Sequence, residues 1–513
     1  MGLLSAIYHL RWFLGLAFLA VYLVSKVRTY WRLRNFKGPF STGFSELFHM
    51  RLILSHRNHE EYKEILDKYG PIARVGPNDL VTSSLELLCH MSAARSPYTR
   101  GWYYGAARTR PDKDNVFSTL SEEHHDKRRR QMAAGYSGKE NADLEPTIDT
   151  YVAQLVHLIR SKYLSNAHLA RPFDLSEKTR YMALDVISAV GFGKAFGDLQ
   201  SDADVHSFAA SSESGLQYMT AMMAFGLTPW LRRFPALARL LGPGEADATG
   251  FGRIVGEARV IIERRLERGD MDKRTDMLAS FSRHGLTADD MVTESALQIV
   301  AGSDTTATSL RCIMLYVLSH PRVYVKLQAE VDAAVAAMGG GAGGGVVPDS
   351  VAKGLPYLQA VIKEGMRIHS PVTDQVPKVV PPGGDTVVVD GKPVFLPGGV
   401  NVNYGVWALD RSEAIFGPDA HVFRPERWLV ETDEARLGAM NRVHELIFGY
   451  GKYQCLGKFI GLMEIGKALF ELMRNFDWCL AQPEKVWKGK NLMGLFIHKD
   501  MWVLATDRND ATS

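Results

Sequence analysis

The chain has 513 residues, 23% of them charged and 46% hydrophobic, the balance of a globular protein with a large core rather than a disordered one. A formal net charge of +3, without a long basic run interleaved with aromatics, argues against a nucleic-acid partner. Four cysteines, Cys89, Cys312, Cys455 and Cys479, are too few for a secreted disulfide framework and lack the C-x-x-C spacing of a structural zinc site.

In chain order, the first feature is the unbroken apolar run Trp12–Val24, extended back to Leu3 by a segment containing Ser5, His9 and Arg11. The extended segment is long enough to cross a bilayer as a helix. No small-residue cleavage site follows. Instead come Lys26, Arg28, Arg32, Arg34 and Lys37, which place the rest of the chain on the cytoplasmic side. Residues 1–25 are read as a membrane anchor and 26–40 as a basic linker.

Pro71–Ser83 reads as two short strands about a turn at Gly76-Pro77-Asn78. From about His124 to Ala337 the pattern is mostly helical, broken near Gly242-Pro243-Gly244 and Gly269-Asp270. Thr287 with Asp290 three residues on is close to a capping box, and the helix it opens runs to His320, before Pro321. Gly339, Gly341 and Gly344 spell a formal G-x-G-x-x-G. No strand precedes it and no helix follows, so it is read as a linker. No other dinucleotide or flavin site is visible, so a reductant must come from another protein. Glu364 and Arg367 share a helix face at i, i+3. Asp390-Gly391 marks a hairpin within Thr386–Tyr404.

Phe448–Gly457 reads FGYGKYQCLG. Gly451 permits a tight turn, at positive φ, before the cysteine. The helical pattern after it puts Cys455 at a helix N-terminus, where backbone N–H groups and the dipole favour a thiolate. Gly457 leaves room for a flat ligand against the helix, and Phe448 offers an apolar shield. Cys89, Cys312 and Cys479 have no such surroundings and are read as small buried hydrophobes.

On these residues the chain resembles the cytochrome P-450 family. Phe448, Gly451, Cys455 and Gly457 fit its F-x-x-G-x-[R/H]-x-C-x-G signature, and the variant is similar to that of fungal, pisatin-demethylase-like members. The resemblance implies a mainly α fold with a small β region, residues 41–513 forming one haem-thiolate catalytic domain, and haem b with Cys455 as axial ligand. The sequence departs at Tyr453, where Arg or His usually holds a haem propionate, and Lys452 stands beside it. Ala301–Thr306, AGSDTT, looks like the oxygen-activation motif. Small Ala301 and Gly302 would let that helix approach the haem, and Asp304 and Thr305 would manage protons. Glu364 and Arg367 match E-x-x-R, and Phe423–Trp428, FRPERW, implies that Arg427 completes a structural triad with them. His125, Arg129 and Lys378 are implied propionate partners, although the run 127–130 could equally be a solvated face meeting an acidic redox partner. Substrate contacts are implied for Tyr98–Phe117, Tyr218–Trp230, Gln298, Ile299, Thr373–Gln375 and Met493–Phe496. The methionine-rich stretch Tyr218–Met223 could be either core or pocket.

The expected activity is insertion of one oxygen of O2 into a lipophilic small molecule, in fungal secondary metabolism. Electrons would come from NADPH through a cytochrome P-450 reductase, and the chain would sit in the endoplasmic reticulum membrane. The rival readings are a haem sensor or scaffold without turnover, and a non-oxygenase haem-thiolate enzyme. The intact Asp304-Thr305 pair argues against both.

Overall fold

A computed structural model describes residues 2–339, 345–374, 377–492 and 494–508, without the side chains of residues 2–10 and Asp272. Gly341, Gly344, Gln375 and Met493 therefore lie outside the described residues.

Helix α1 (Gly2–Arg32) continues past the apolar run, so Lys26, Arg28 and Arg32 lie on its last turns. Its Arg11–Arg32 part is long and apolar enough to cross a membrane. Strands β1 (Ile72–Gly76) and β2 (Asp79–Thr82) pair antiparallel around the expected turn. After β3 (Thr99–Arg100) comes the helical bulk: α2 (Glu122–Tyr136), α3 (Leu175–Phe192), α4 (Phe208–Ala224), α5 (Thr228–Arg233), α6 (Pro235–Leu241), α7 (Gly250–Glu267), α8 (Ala288–Leu318) and α9 (Pro356–Ile368). Strands β4 (Lys378–Val379), β5 (Asp385–Val389), β6 (Lys392–Leu396) and β7 (Asn401–Tyr404) follow. Helix α10 (Lys458–Asn475) and the hairpin β8 (Lys488–Leu492)–β9 (Leu495–Lys499) complete the parts that matter here.

The main sheet has the order β1-β2-β7-β4-β3. Its β2–β7 pair is parallel, Asp79 opposite Asn401, so the small β region is built from pieces distant in sequence. The β5–β6 hairpin turns at Asp390 and Gly391, with φ of 50° and 73°, the left-handed pair that a tight two-residue turn requires.

Helix α8 is the axis of the molecule. Thr287 caps it through a complete capping box with Asp290. It packs on α3, α7, α9 and α10 and is buried nearly all round, as a core helix must be when neighbours cover every face. Yet Ser303, Asp304, Thr306, Thr308, Ser309 and Arg311 are among its buried residues. Buried polar groups cost free energy unless they find partners, and those partners locate the site. Cys312 is buried as expected, but Cys479 is exposed, because alternation along Phe476–Leu480 turns it outward.

Candidate active site

The cysteine loop is set by its backbone. Gly451 has a φ of 60°, and a Cβ there would sit 2.1 Å from the Ser92 carbonyl oxygen, so only glycine fits. The turn lets the Cys455 N–H donate to the Phe448 carbonyl at 2.6 Å. Phe448 itself is half-buried against the core. The N–H groups of Gly457 and Lys458, at the start of α10, hydrogen-bond the Cys455 sulfur. Desolvation by the protein packed around it raises the thiol pKa, while those N–H groups and the Arg129 charge pull it back. A metal at the sulfur would remove the proton outright. The Cys455 side chain remains accessible. A Cβ on Gly457 would lie 3.9 Å from both this sulfur and the Tyr136 ring.

On α8, which packs on α10, Ala301 is exposed and Thr305 half-buried, while most of the helix is covered. Thr305 Oγ1 donates to the Ala301 carbonyl at 2.8 Å, so one turn of α8 presents a small accessible strip. Asp304 is not on it. One residue along a helix is a 100° rotation, and Asp304 is turned into the core. There it accepts from Ser212 Oγ of α4 at 2.6 Å and pairs with Arg180 Nε of α3 at 3.1 Å. Gly302 also has a different task from the one expected. A Cβ there would meet Ile187 of α3 at 2.8 Å, so its smallness serves the α3–α8 contact. Gln298 and Ile299, expected to face substrate, are buried. Gln298 lies on the same side of α8 as Thr305 but is covered by Met277 and Tyr136.

A basic cluster borders the loop. Arg100 is buried and gives Nη1 to three backbone carbonyls, while its Nε and Nη2 are buried without hydrogen-bond partners. Lys378 Nζ lies 2.9 Å from the Tyr104 hydroxyl and 3.1 Å from the Tyr453 ring centroid. Burial and the nearby Arg100 push its pKa well down. The His125 ring lies tilted against Tyr453, with centroids 5.3 Å apart, and burial and then Arg100 lower its pKa to about 4. Lys452 Nζ and the Tyr453 hydroxyl both reach Glu122, at 3.0 and 2.8 Å. Arg129 is half-buried and faces Cys455 and Arg100. The run 127–130 therefore divides by helical phase: Arg128 turns in to Asp290 at 2.8 Å, Arg129 faces the site, and Lys127 and Arg130 stay exposed.

Several cations around one carboxylate, with orphaned guanidinium nitrogens among them, form an incomplete charge set. Two propionates would complete it. With the thiolate loop and the small strip of α8, the residues present fit haem b. Glu122, Tyr136, Arg180 and Ser212 were not singled out in the sequence, because none belongs to a spaced motif, and Arg100 fell within the Tyr98–Phe117 segment expected to meet substrate.

Glu364, Arg367 and Arg427 come together in the core, away from the accessible strip. Arg367 clasps Glu364 through Nε and Nη2 at 2.9 and 2.8 Å, and Arg427 Nε donates to Glu364 Oε1 at 2.9 Å. Trp428 Nε1 and the Arg424 N–H also donate to this carboxylate, each at 2.9 Å. Burial alone would raise its pKa, but the arginines reverse that and hold it below the usual range. The outer guanidinium nitrogens bind the carbonyls of Asp410, Phe416, Asp419, Ala420 and Val422, tying the segment before the cysteine loop to α9.

The sequence profile of the cytochrome P450 family matches residues 39–502. The cytochrome P450 monooxygenase ABA1 of Pyricularia oryzae is 38% identical over 97% of each chain. The monooxygenase aba1 of Botryotinia fuckeliana is 36% identical over 93% of this chain and 92% of its own. A pisatin demethylase of Fusarium vanettenii is 28% identical over 94% and 88% respectively. The chain therefore belongs to the cytochrome P450 family and is a monooxygenase of the haem-thiolate kind.

Proposed function

We propose that Cys455 is the axial ligand and that the enzyme inserts one oxygen atom of O2 into a lipophilic small molecule in fungal secondary metabolism. NADPH supplies the electrons through a cytochrome P450 reductase. What supports this reading is an accessible Cys455, held by the N–H groups at the start of α10, together with the accessible Ala301 and Thr305 on α8, which packs on α10. When bound, haem supplies the dioxygen chemistry, with the thiolate favouring O–O cleavage.

The protein's own residues provide the rest. Arg100, Arg129, Lys378 and Lys452 orient the propionates. Thr305 holds a proton donor at Oγ1 on the accessible strip. Asp304 carries protons to that strip by leaving its bonds to Arg180 and Ser212, so the ion pair meters delivery and limits waste. The exposed Lys127 and Arg130, on the outer side of the helix that carries Arg129, suit an acidic reductase surface. The half-buried Met223, packed against the Tyr103–Tyr104 cluster, with Met222 half-buried beside it in the chain, suits an adaptable apolar pocket.

Asp304→Asn tests the proton role. The variant should lose turnover by roughly 10²-fold, the lower range for general acid–base catalysis. Its reduced carbon-monoxide spectrum and substrate-induced spectral shift should be unchanged. Undiminished product formation would remove Asp304 from the relay.

Membrane association has two supports. Basic residues follow the apolar part of α1, orienting the catalytic domain to the cytoplasm, consistent with an endoplasmic reticulum enzyme. A second apolar face, with Trp230, Phe234, Leu240 and Leu241 exposed on and beside α5 and α6, lies next to α4, on which the helix Leu47–Leu54 packs. The full chain should resist carbonate extraction, and a chain lacking residues 1–25 should be released by it. Carbonate resistance in the truncated chain would show that α1 is not the sole anchor.

A further inference from the structure

Away from the Cys455 loop, three buried soft-ligand residues converge from three elements. Cys312 comes from α8, His369 from the residue that ends α9, and His498 from β9. One ligand atom from each lies within 4.8 Å of the others. Their exposures are 0%, 8% and 1%. His369 Nε2 and His498 Nδ1 are buried without a hydrogen-bond partner. Leaving such nitrogens unsatisfied costs free energy that a ligand would recover. A second carboxylate–histidine group, Glu46, His49 and Asp79, differs in this respect. There His49 already bonds Tyr62, and Asp79 accepts from Tyr103 and Asn401.

We propose that Cys312, His369 and His498 form a second metal site, selective for Cu(I) over Zn(II). One thiolate and two imidazoles are a soft-to-borderline set that suits both ions. Trp407, Trp487 and Phe496 pack on the two histidines, and His59, buried with Nδ1 unpartnered, packs edge-on against Trp407 and Phe496. Zinc takes four ligands, whereas Cu(I) is content with the three that converge. The charge balance separates the two ions. Arg311 is fully buried beside the site, with Nη2 unpartnered, and Arg411 is close. A Cu(I)–thiolate unit is neutral, whereas Zn(II)–thiolate adds a positive charge next to those guanidiniums, in a medium that penalises it. On binding, the Cys312 S–H bond breaks, the S–Cu bond forms and the proton leaves to solvent. The copper is not oxidised. The slight exposure of His369 and the half-buried Trp407 and Trp487 mark the route in. Occupancy would clasp α8, α9 and β9, so it should raise the thermal midpoint for haem release.

The test uses the full, haem-loaded chain without oxygen, titrated with Cu(I) against a chromophoric copper chelator and, in parallel, with Zn(II) against a zinc chelator. The expected result is one copper per haem, with X-ray absorption showing one sulfur and two nitrogen neighbours. Zn(II) should bind more weakly. Cys312→Ser and His369→Gln should each weaken copper binding by at least about tenfold, with haem content retained, and Cys479→Ser should change nothing. Substoichiometric uptake, a sulfur-free copper shell, tighter zinc binding or full binding by Cys312→Ser would each overturn the proposal. If the variants lose haem, the X-ray absorption of the unmodified protein decides by itself.

Discussion

Cys455→Ser is expected to abolish the red-shifted Soret band of the reduced carbon-monoxide complex and to bring product formation to background. Serine is nearly the same size, so the Gly451 turn and the Cys455 N–H bond to Phe448 should survive. Only the donor atom changes, from a sulfur that ionises readily to a hydroxyl that does not. Loss of the electron donation that favours O–O cleavage follows from that change alone. Circular dichroism should match that of the parent protein, which separates loss of the ligand from loss of the fold. A retained thiolate band would force another cysteine into the role. Cys312 is sealed in the core between His369 and His498, and Cys479 sits on a strand at the surface, so neither can substitute without rebuilding the fold.

The second large effect should come from Glu364→Ala, which is expected to leave almost no haem-loaded protein. Glu364 is wholly buried and accepts from Arg367, Arg427, Trp428 and the Arg424 N–H. Removing it strands two buried guanidiniums face to face. Breaking a buried pair in this way costs roughly 3–5 kcal/mol, a large part of the 5–15 kcal/mol that typically holds a domain together. The damage reaches the haem side because Arg367 and Arg427 also hold the carbonyls of the 410–422 segment, which leads into the cysteine loop. The measurements are haem-to-protein ratio and urea midpoint. Glu364→Gln, which keeps the volume and some hydrogen bonds, should fall between the two. Normal haem loading in Glu364→Ala would show that the triad does not support the site.

The Asp304-Thr305 pair shows where motif reading stops. Adjacent residues on a helix point 100° apart, so a dipeptide motif cannot place both side chains in one cleft. Thr305 lies on the accessible strip, whereas Asp304 is held by Arg180 and Ser212, residues from two other helices that no spacing rule connects. Gly302 makes the same point. It looked like clearance for a cofactor, and it is clearance for Ile187.

The sequence by itself determined what depends on neighbours along the chain. The capping box at Thr287, the left-handed turn at Asp390-Gly391, the positive φ at Gly451 and the N–H groups behind Cys455 are all local backbone chemistry, legible from a few consecutive residues. Helical spacing likewise put Glu364 and Arg367 on one face. The tertiary structure alone decided which distant groups share a space. It brought Arg100 to the cluster around Glu122, locked Asp304 to α3 and α4, and gathered Cys312, His369 and His498 around one point. The physical reason is that burial makes polar groups find partners wherever the packing of remote elements puts them, and packing leaves no local mark in the sequence.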